Sequence, residues 1–292
     1  MQSSAGIRQV GRALIYPSRG RLMFATDFHG QLEDFRQVVG QYHARREQGE
    51  DLYLLFAGDF VHGPRYDAAT FPEHLGDFHP DDTAAILQEL EALLEHDHRV
   101  SSLLGNHEHG HVGGPHTQKF HRDPDEVEHL EGVLGKDRAL RMRDLFRSLS
   151  LVALAPCGVI FLHGAPNVRT AGFADVAGAV LDGYEQHSLQ ELYSVPVVGE
   201  LLWSKGADPE VAEAFLGRMA YESIQPRVAV YGHDVIREGY WKVAHNQLVV
   251  STSFGLRRPH KTLCEVDLAG SYRSTDDFRP GHELYPVYGR QP

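Results

Sequence analysis

Residues 22–30, LMFATDFHG, decide the fold that this sequence predicts. Four apolar residues are typical of a short buried strand, and Asp27 and His29 follow where that strand ends. The arrangement recurs along the chain, because apolar runs at 52–57, 100–104, 159–162 and 228–231 also lead into polar motifs. Those motifs are Gly58-Asp59, Asn106-His107-Glu108, His163-Gly164 and Gly232-His233-Asp234.

Longer amphipathic stretches between these runs predict helices at 31–48, 83–97, 137–148 and 209–222, and a further strand is predicted at 248–251. Strands that alternate with helices indicate an α/β fold. Loops at the carboxyl ends of such strands converge on one site, so we expect the motifs to meet. Two aperiodic segments, 63–81 and 109–124, are interpreted as loop insertions, and 168–190 as a short helical excursion. We expect a single domain over residues 1–292.

The composition excludes several classes of partner. The 292 residues carry a formal charge of -12, with 28 Lys and Arg against 40 Asp and Glu, which argues against nucleic acid as a partner. No apolar run approaches the roughly 20 residues of a membrane helix, and the N-terminus shows no signal-peptide core. We therefore expect no membrane partner and a cytoplasmic location.

Cys157 and Cys264 are expected to be buried, inert thiols, and the oligomeric state has no signal in the sequence.

The polar motif residues have the chemistry of a site for two divalent cations that share one carboxylate. The predicted ligands are Asp27, His29 and Asp59 for the first cation, and Asp59, Asn106, His163 and His233 for the second. Carboxylate, imidazole and amide donors suit Mn²⁺, Fe²⁺ or Zn²⁺, with Mn²⁺ expected first. The lack of Cys ligands argues against a structural zinc site.

Two further histidines are predicted to take part in catalysis. His107 follows Asn106 directly, so it lies at the site without being a ligand. Because imidazole titrates near neutral pH, we predict that His107 protonates the leaving group while a hydroxide bridging the cations attacks phosphorus. His62, three residues beyond Asp59, is expected to contact substrate or His107. The remaining loop histidines are interpreted as solvated; they are His109, His111, His116 and His121.

From about residue 22 to about residue 254, the ordered motifs resemble those of the calcineurin-like metallophosphoesterase superfamily. The resemblance implies a β-sandwich flanked by helices with a dinuclear metal site at the strand ends, the same ligands, and His107 as the acid. TDFHGQLEDF at 26–35, VIFLHGAP at 159–166, ELLWS at 200–204 and the segment 229–255 are similar to the phosphoprotein phosphatase branch. That branch includes serine/threonine phosphatases and bacterial symmetrical diadenosine tetraphosphatases. Val235 favours the same branch, because many superfamily diesterases have a second histidine there.

One motif departs from the branch pattern. The branch has Asp-Arg-Gly, in which the Asp orients the catalytic His and the Arg binds phosphate, whereas this chain has His62-Gly63-Pro64-Arg65 preceded by Val61. The candidates for binding phosphate are Arg65, Arg169 and Lys205. Because imidazole lacks a carboxylate's negative charge, catalysis is expected to be weaker, tuned differently, or supported by another carboxylate such as Asp234 or Glu108.

Three functions stay open on the sequence. The leading prediction is a phosphomonoesterase of the phosphoprotein phosphatase type, acting on a phosphoprotein or a small phosphoester. The alternative is cleavage of a dinucleoside polyphosphate such as diadenosine tetraphosphate, with Tyr66, Phe71 or Phe78 stacking on a base. The third is a metal-binding protein without catalysis, against which the complete ligand set argues. Acidic residues in the first loop favour neutral or basic phosphopeptides; they are Glu73, Asp77, Asp81 and Asp82.

Overall fold

Two β-sheets pack face to face in the computed structural model, which describes residues 6–121 and 123–289. The strands within these residues are β1 (Arg8–Val10), β2 (Ala13–Ile15), β3 (Arg21–Ala25), β4 (Leu52–Phe56), β5 (Val100–Ser102), β6 (Val152–Ala155), β7 (Val159–Leu162), β8 (Val228–Tyr231), β9 (Tyr240–Ala244), β10 (Gln247–Val250), β11 (Thr262–Asp267) and β12 (Leu284–Pro286). The seven-stranded sheet has the order β1-β2-β6-β7-β8-β10-β9, and the five-stranded sheet has the order β12-β11-β3-β4-β5.

Helices cover the outer faces of the two sheets. In the described part of the chain they are α1 (Leu32–Glu47), α2 (Thr83–His96), α3 (Asn106–His109), α4 (Glu126–Leu134), α5 (Lys136–Ser148), α6 (Phe173–Ala177), α7 (Leu189–Leu192), α8 (Val198–Trp203) and α9 (Pro209–Arg218). Helix α1 packs on β4, α2 packs on α1 and β5, and α9 packs on β8 of the other sheet. The architecture is therefore a β-sandwich between helical layers, as the family resemblance implied.

Side chains along β3 alternate between two hydrophobic cores. Leu22 and Phe24 lie between the sheets, whereas Met23 and Ala25 lie in the core beneath the helices. The rings of Phe24 and Phe161, 5.0 Å apart between centroids, join the two sheets. Because the central strands are covered on both faces, every residue of β4 and β7 is buried, and these strands read as continuous apolar runs.

Strand direction places the motifs at one edge of the sandwich. The strands β3, β4 and β5 are parallel neighbours, as are β7, β8 and β10. Their carboxyl ends meet there, so the loop after β5 lies against the loop after β7, with Oδ1 of Asn106 2.9 Å from Nε2 of His163. The loop after β3 contacts the loop after β8 through Asp27 and His233.

The predicted strands and helices are present, with ends that differ by a few residues. Several elements were not predicted from the sequence; they are β1, β2, β6, β9, β11, β12, α3, α4 and α8. Most have three or four residues, too few for a periodic pattern, but β9, β11, α4 and α8 are longer. Helices α6 and α7 account for the helical excursion predicted at 168–190. Cys157 and Cys264 are buried as expected, and the single domain stays a prediction. In the described ranges, no helix has the length and apolar character needed to cross a membrane.

Replacing Phe161 by Ala tests the packing between the sheets. The ring is fully buried against Phe24, so the variant should lose about 3–5 kcal/mol of unfolding free energy, measured by urea denaturation. Phe78→Ala is the matched control, because Phe78 is 47% exposed and its removal should cost far less. Equal losses in the two variants would contradict the sandwich core described here.

Candidate metal centre

The site residues occupy strained backbone conformations at the strand ends. Left-handed φ angles are found at Asp27 (53°), His29 (44°), Asp59 (56°), His62 (64°) and His233 (66°). The other non-glycine residue with positive φ among those described is Glu222. Such conformations cost on the order of 1–3 kcal/mol each and persist only where the surroundings fix them. Their concentration at the motifs indicates a functional site.

Two glycines allow the loops after β4 and β5 to approach closely. A Cβ on Gly58 would lie 2.3 Å from the backbone nitrogen of Gly105, and a Cβ on Gly105 would lie 2.2 Å from Oδ1 of Asp59. Neither position has room for a side chain. This close approach brings Asp59 next to Asn106, which directly follows Gly105.

The buried carboxylate of Glu108 holds the loop after β4 through hydrogen bonds to its backbone. Its Oε2 accepts hydrogen bonds from the backbone nitrogens of Asp59 (2.7 Å) and Gly105 (3.1 Å). Its Oε1 accepts from the backbone nitrogens of Phe60 (2.8 Å) and Val61 (3.2 Å). Glu108 therefore shapes the loop, and both carboxylate oxygens are already engaged with backbone amides.

Asp59 belongs to two groups of side chains whose ligand atoms lie within 4.8 Å of one another. One group contains His29, Asp59 and His107, and the other contains Asp59, His163 and His233. Oδ2 of Asp59 lies 3.4 Å from Nε2 of His29 and 3.6 Å from Nε2 of His163. The sequence placed Asp59 between His29 on one side and His163 and His233 on the other. The first group contains His107 where the prediction has Asp27, and the ligand roles stay predictions.

The hydrogen bonds of two histidines orient them toward Asp59. Nδ1 of His29 lies 2.9 Å from the carbonyl oxygen of Val61, and Nδ1 of His163 lies 2.8 Å from that of Ala57. Because a carbonyl oxygen only accepts, each Nδ1 donates its proton to that carbonyl, so Nε2 is the ring nitrogen that faces Asp59. Nε2 of His163 also lies 2.9 Å from Oδ1 of Asn106, so these two candidate ligand atoms are adjacent.

Asp27 lies beside these groups rather than in either of them. Its Oδ1 and Oδ2 accept hydrogen bonds from the backbone nitrogen of His233 at 3.2 and 3.0 Å. Burial and the neighbouring Asp59 carboxylate raise the pKa of Asp27, and the same two causes raise the pKa of Glu108 to about 7. For Asp59 itself, burial opposes ionisation, but His163 and His107 outweigh it and hold the pKa well below its usual range. Three crowded, buried carboxylates and open imidazole nitrogens fit a cation site.

The loop histidines do not behave as the sequence analysis expected. The interpretation as solvated residues is wrong for His109 and His111, which are buried. Nε2 of His109 is 2.8 Å from the carbonyl oxygen of Leu181, and His111 lies 2.9 Å from His62. His62 also contacts His107, with 2.9 Å between their Nδ1 atoms, which matches one of the two contacts expected for it. His116 remains exposed and pairs with Asp125.

The cations predicted to bind phosphate do not contact the predicted metal ligands in the described structure. A guanidinium nitrogen of Arg65 lies 3.4 Å from the carbonyl oxygen of Pro124, and Arg169 donates its backbone N–H to Glu200. Lys205 is exposed and lies 3.4 Å from Oδ1 of Asp234. Among the described residues, His107 has hydrogen bonds to His62, Asp59 and Thr117 but not to Asp234 or Glu108, the carboxylates considered as supports for it.

Among the described residues, Lys119 is a positively charged side chain that contacts a predicted metal ligand, and it was not predicted from the sequence. Its Nζ lies 3.2 Å from Nε2 of His29, and 4.3 and 5.3 Å from the ring centroids of Phe254 and Phe120. The residue as a whole is exposed, so the ammonium group reaches inward from the surface. The only sequence signal was a lysine in the loop that follows His107.

The aromatic residues proposed to stack on a base form a cluster that touches the site through Tyr66, whose hydroxyl lies 3.4 Å from the carbonyl oxygen of Phe120. Phe71 lies 6.4 Å from Tyr66 and 5.4 Å from Phe78, measured between ring centroids. The aromatic rings that contact predicted metal ligands in the described residues are Phe254, 4.6 Å from His29, Phe120, 6.3 Å from His29, and Trp203, 6.5 Å from His233. Phe254 is buried and Phe120 is partly buried.

A family model described as calcineurin-like phosphoesterase matches residues 20–237, and no curated protein sequence matches significantly. The fold is similar to a protein serine/threonine phosphatase from Saccharomyces cerevisiae with similarity to human phosphatase PP5. The TM-score is 0.58 at 17% identity, covering 94% of this chain and 82% of that one. A cold-active protein-tyrosine phosphatase of a psychrophilic Shewanella gives a TM-score of 0.46 at 12% identity, covering 90% and 79%. A metallophosphoesterase from Sphaerobacter thermophilus gives 0.40 at 12%, covering 85% and 84%.

Replacing Glu108 by Gln tests how the loop after β4 is held. The amide nitrogen would face backbone N–H groups instead of accepting from them, which leaves buried donors unpaired and should cost about 1–3 kcal/mol of unfolding free energy. The measurement is urea denaturation of the protein in the presence of a chelator. Glu95→Gln, at a side chain that is 73% exposed, is the matched control and should leave the unfolding free energy nearly unchanged. A Glu108 variant as stable as this control would refute the role assigned to the carboxylate.

Proposed function

The chain belongs to the calcineurin-like phosphoesterase family, and from this premise we propose that it is a phosphomonoesterase of the phosphoprotein phosphatase type that requires two divalent cations. The observation that carries the proposal is the position of Asp59. Its Oδ2 atom lies 3.4 Å from one candidate ligand, His29, and 3.6 Å from another, His163, so one carboxylate serves both ligand groups. A shared carboxylate is what a pair of closely spaced cations needs.

The donor set fits such cations, with Mn²⁺ proposed first and Fe²⁺ or Zn²⁺ as alternatives. Asp27, His29 and Asp59 would hold one cation, and Asp59, Asn106, His163 and His233 the other. The backbone carbonyls that accept the Nδ1 protons of the histidines leave Nε2 free as the donor atom. When bound, the cations supply positive charge that polarises a phosphoryl oxygen and makes water more acidic.

His107 is proposed to protonate the leaving group. Its backbone nitrogen donates to Oδ1 of Asp59 at 3.1 Å, and its ring packs edge-on against the ring of His29 with 4.8 Å between centroids. The imidazole is therefore fixed beside the shared carboxylate, where the phosphoester would be cleaved. A proton given by His107 to the departing oxygen lowers the charge that develops there.

Lys119 is proposed to bind the phosphate in place of the branch-pattern arginine, which this chain lacks at the corresponding position. Its ammonium group lies at His29 on a flexible stem, and a Lys binds phosphate as a point charge. By contrast, a guanidinium nitrogen of Arg65 contacts the carbonyl oxygen of Pro124, Lys205 pairs with Asp234, and Arg169 bonds to Glu200 through its backbone N–H. The phosphate therefore meets a positive charge from the loop after α3.

We favour a phosphoprotein or small phosphoester as substrate over a dinucleotide, with neither nucleic acid nor a membrane as partner. The rings that contact the predicted metal ligands in the described residues are Phe254, Phe120 and Trp203, and none of them is a residue predicted to stack on a base. The fold similarity to a serine/threonine phosphatase and the absence of a histidine at Val235 support the same choice.

The deciding experiment compares hydrolysis of a phosphoserine/phosphothreonine peptide and of diadenosine tetraphosphate by Mn²⁺-loaded protein. We expect faster turnover of the peptide, and His107→Gln should lower kcat by roughly 10²–10⁴-fold, the contribution typical of a general acid. His245→Gln is the control, since His245 is 65% exposed and lies on a distant turn.

Preference for the dinucleotide would move the protein to the alternative function. No turnover of either substrate with Mn²⁺, Fe²⁺ or Zn²⁺ would favour the non-catalytic metal-binding protein. An unchanged kcat in the His107 variant would remove that residue from the mechanism.

Lys119→Gln tests the source of the phosphate contact. Loss of one charge-assisted hydrogen bond should lower kcat/KM for the phosphopeptide by about 10-fold or more. The comparison set consists of Arg65→Gln, Arg169→Gln and Lys205→Gln, each of which should have a smaller effect. A larger loss in any of these three would restore the assignment made from the sequence.

A further inference from the structure

Three buried histidines form an unbroken row from His107 to a carboxylate on helix α4. Nδ1 of His107 lies 2.9 Å from Nδ1 of His62, and Nε2 of His62 lies 2.9 Å from Nε2 of His111. Nδ1 of His111 then lies 3.0 Å from Oε1 of Glu131. The three histidines are 4%, 3% and 6% exposed, so water does not replace these contacts. The phosphoester hydrolase site described above uses only the first ring of the row.

The outer end of the row is fixed by an ion pair. Arg143 donates to both oxygens of Glu131, with its Nε 2.9 Å from Oε1. The hydrogen bond from His111 and the pairing with Arg143 lower the pKa of Glu131 to about 2, so this group is a carboxylate and can only accept. The ring of Phe146, 5.7 Å from that of His111, packs against the row from helix α5.

An accepting carboxylate at one end sets the direction of every hydrogen bond in the row. His111 must donate from Nδ1 to Glu131, which leaves its Nε2 as an acceptor. Burial lowers the pKa of both His111 and His62, so each ring is neutral and carries one proton. His62 must therefore donate from Nε2 to His111 and accept at Nδ1. The only arrangement left for His107 is to donate its Nδ1–H to His62.

We propose that Glu131 is a positioning residue for His107, acting through His111 and His62. The row holds the proton of His107 on Nδ1 and fixes the plane of its ring, which leaves Nε2 as the atom that faces the substrate. A His107 that carries a second proton, on Nε2, also fits, because its Nδ1–H already has an acceptor. The role in turnover rests on the proposed function, whereas the direction of the hydrogen bonds rests on the geometry alone.

A second hydrogen-bond partner for His107 does not supply this direction. Oγ1 of Thr117 lies 3.4 Å from Nδ1 of His107, but a hydroxyl can both donate and accept. The Thr117 hydroxyl is compatible with a proton on either ring nitrogen of His107. Among the described groups bonded to the row, only Glu131 determines which nitrogen carries it.

Nitrogen-15 NMR of histidine-labelled protein tests the direction without any turnover. In chelator-treated wild-type protein, His111 should be protonated on Nδ1 and His62 on Nε2, with signals assigned from His111→Gln and His62→Gln variants. In Glu131→Gln the new amide can donate to Nδ1 of His111, so His111 and His62 should lose these tautomers. A wild-type protein with His111 protonated on Nε2 would overturn the proposal, whatever the activity of the enzyme.

Kinetics of the metal-loaded enzyme tests the consequence for catalysis. Glu131→Gln should lower kcat by roughly 10–100-fold, the usual effect of losing an outer hydrogen-bond partner, with little change in KM. Glu128→Gln makes the same chemical change at an exposed position of α4 and should keep wild-type kcat. Wild-type kcat in Glu131→Gln would overturn the proposal.

A rescue variant separates positioning from a structural role. In the double variant Glu131→Gln/His62→Asp, a carboxylate stands directly beside His107 and should recover most of the lost kcat. A purely structural role for Glu131 would not be repaired by a change at position 62, so a folded double variant without recovery would overturn the proposal. If wild-type protein hydrolyses no phosphoester, the proposed function fails, and the NMR result still decides the direction of the row.

Discussion

The whole site depends on one constraint, which is that the carboxylate of Asp59 stays buried between two histidines. Leaving an ionised carboxylate without compensation inside a protein is costly, so its surroundings must be fixed. The left-handed backbone at Asp59, the close approach of Gly58 to Gly105, and the four backbone amides held by Glu108 all serve that end. The strain is tolerated because the loops sit on strands that are buried on both faces.

A second buried charge supports the loop after β10. Lys261 and Asp34, each at most 2% exposed, form an ion pair at 2.6 Å, and Ser253 donates its hydroxyl to the same carboxylate. The next residue, Phe254, packs against His29 at 4.6 Å between ring centroids. A buried ion pair of this kind adds little net stability, but removal of either partner leaves the other as an unpaired buried charge. Its value here is geometric, because it fixes the ring that covers His29 and underlies Lys119.

The sequence predicted the parts of the site that depend on local order along the chain. Asp27, Asp59, Asn106, His163 and His233 each lie within a few residues of a buried parallel strand, and parallel strands bring their carboxyl ends together. The structure brings these side chains to one place, while their role as ligands stays a prediction.

The contributions that the sequence did not predict come from loops and outer helices. Lys119 lies in a segment without periodicity, and its place at His29 follows from the path of the loop rather than from any pattern. The polar composition of the loop predicts a solvated His111, yet helices α4 and α5 bury it. Arg65 has the right chemistry for phosphate, but tertiary packing turns it toward Pro124.

The row from His107 to Glu131 also gives a physical reason for a histidine at position 62. Burial and Asp59 already raise the pKa of Asp27 and Glu108, so another carboxylate beside His107 would add to a crowded negative charge. Coulombic stabilisation weakens with distance, but the direction of a hydrogen bond is passed on through each neutral imidazole. Glu131 can therefore fix the proton of His107 without placing its charge among the metal ligands. Because of its distance, Glu131 gives His107 less electrostatic support than an adjacent carboxylate would. It still determines which ring nitrogen of His107 faces the substrate.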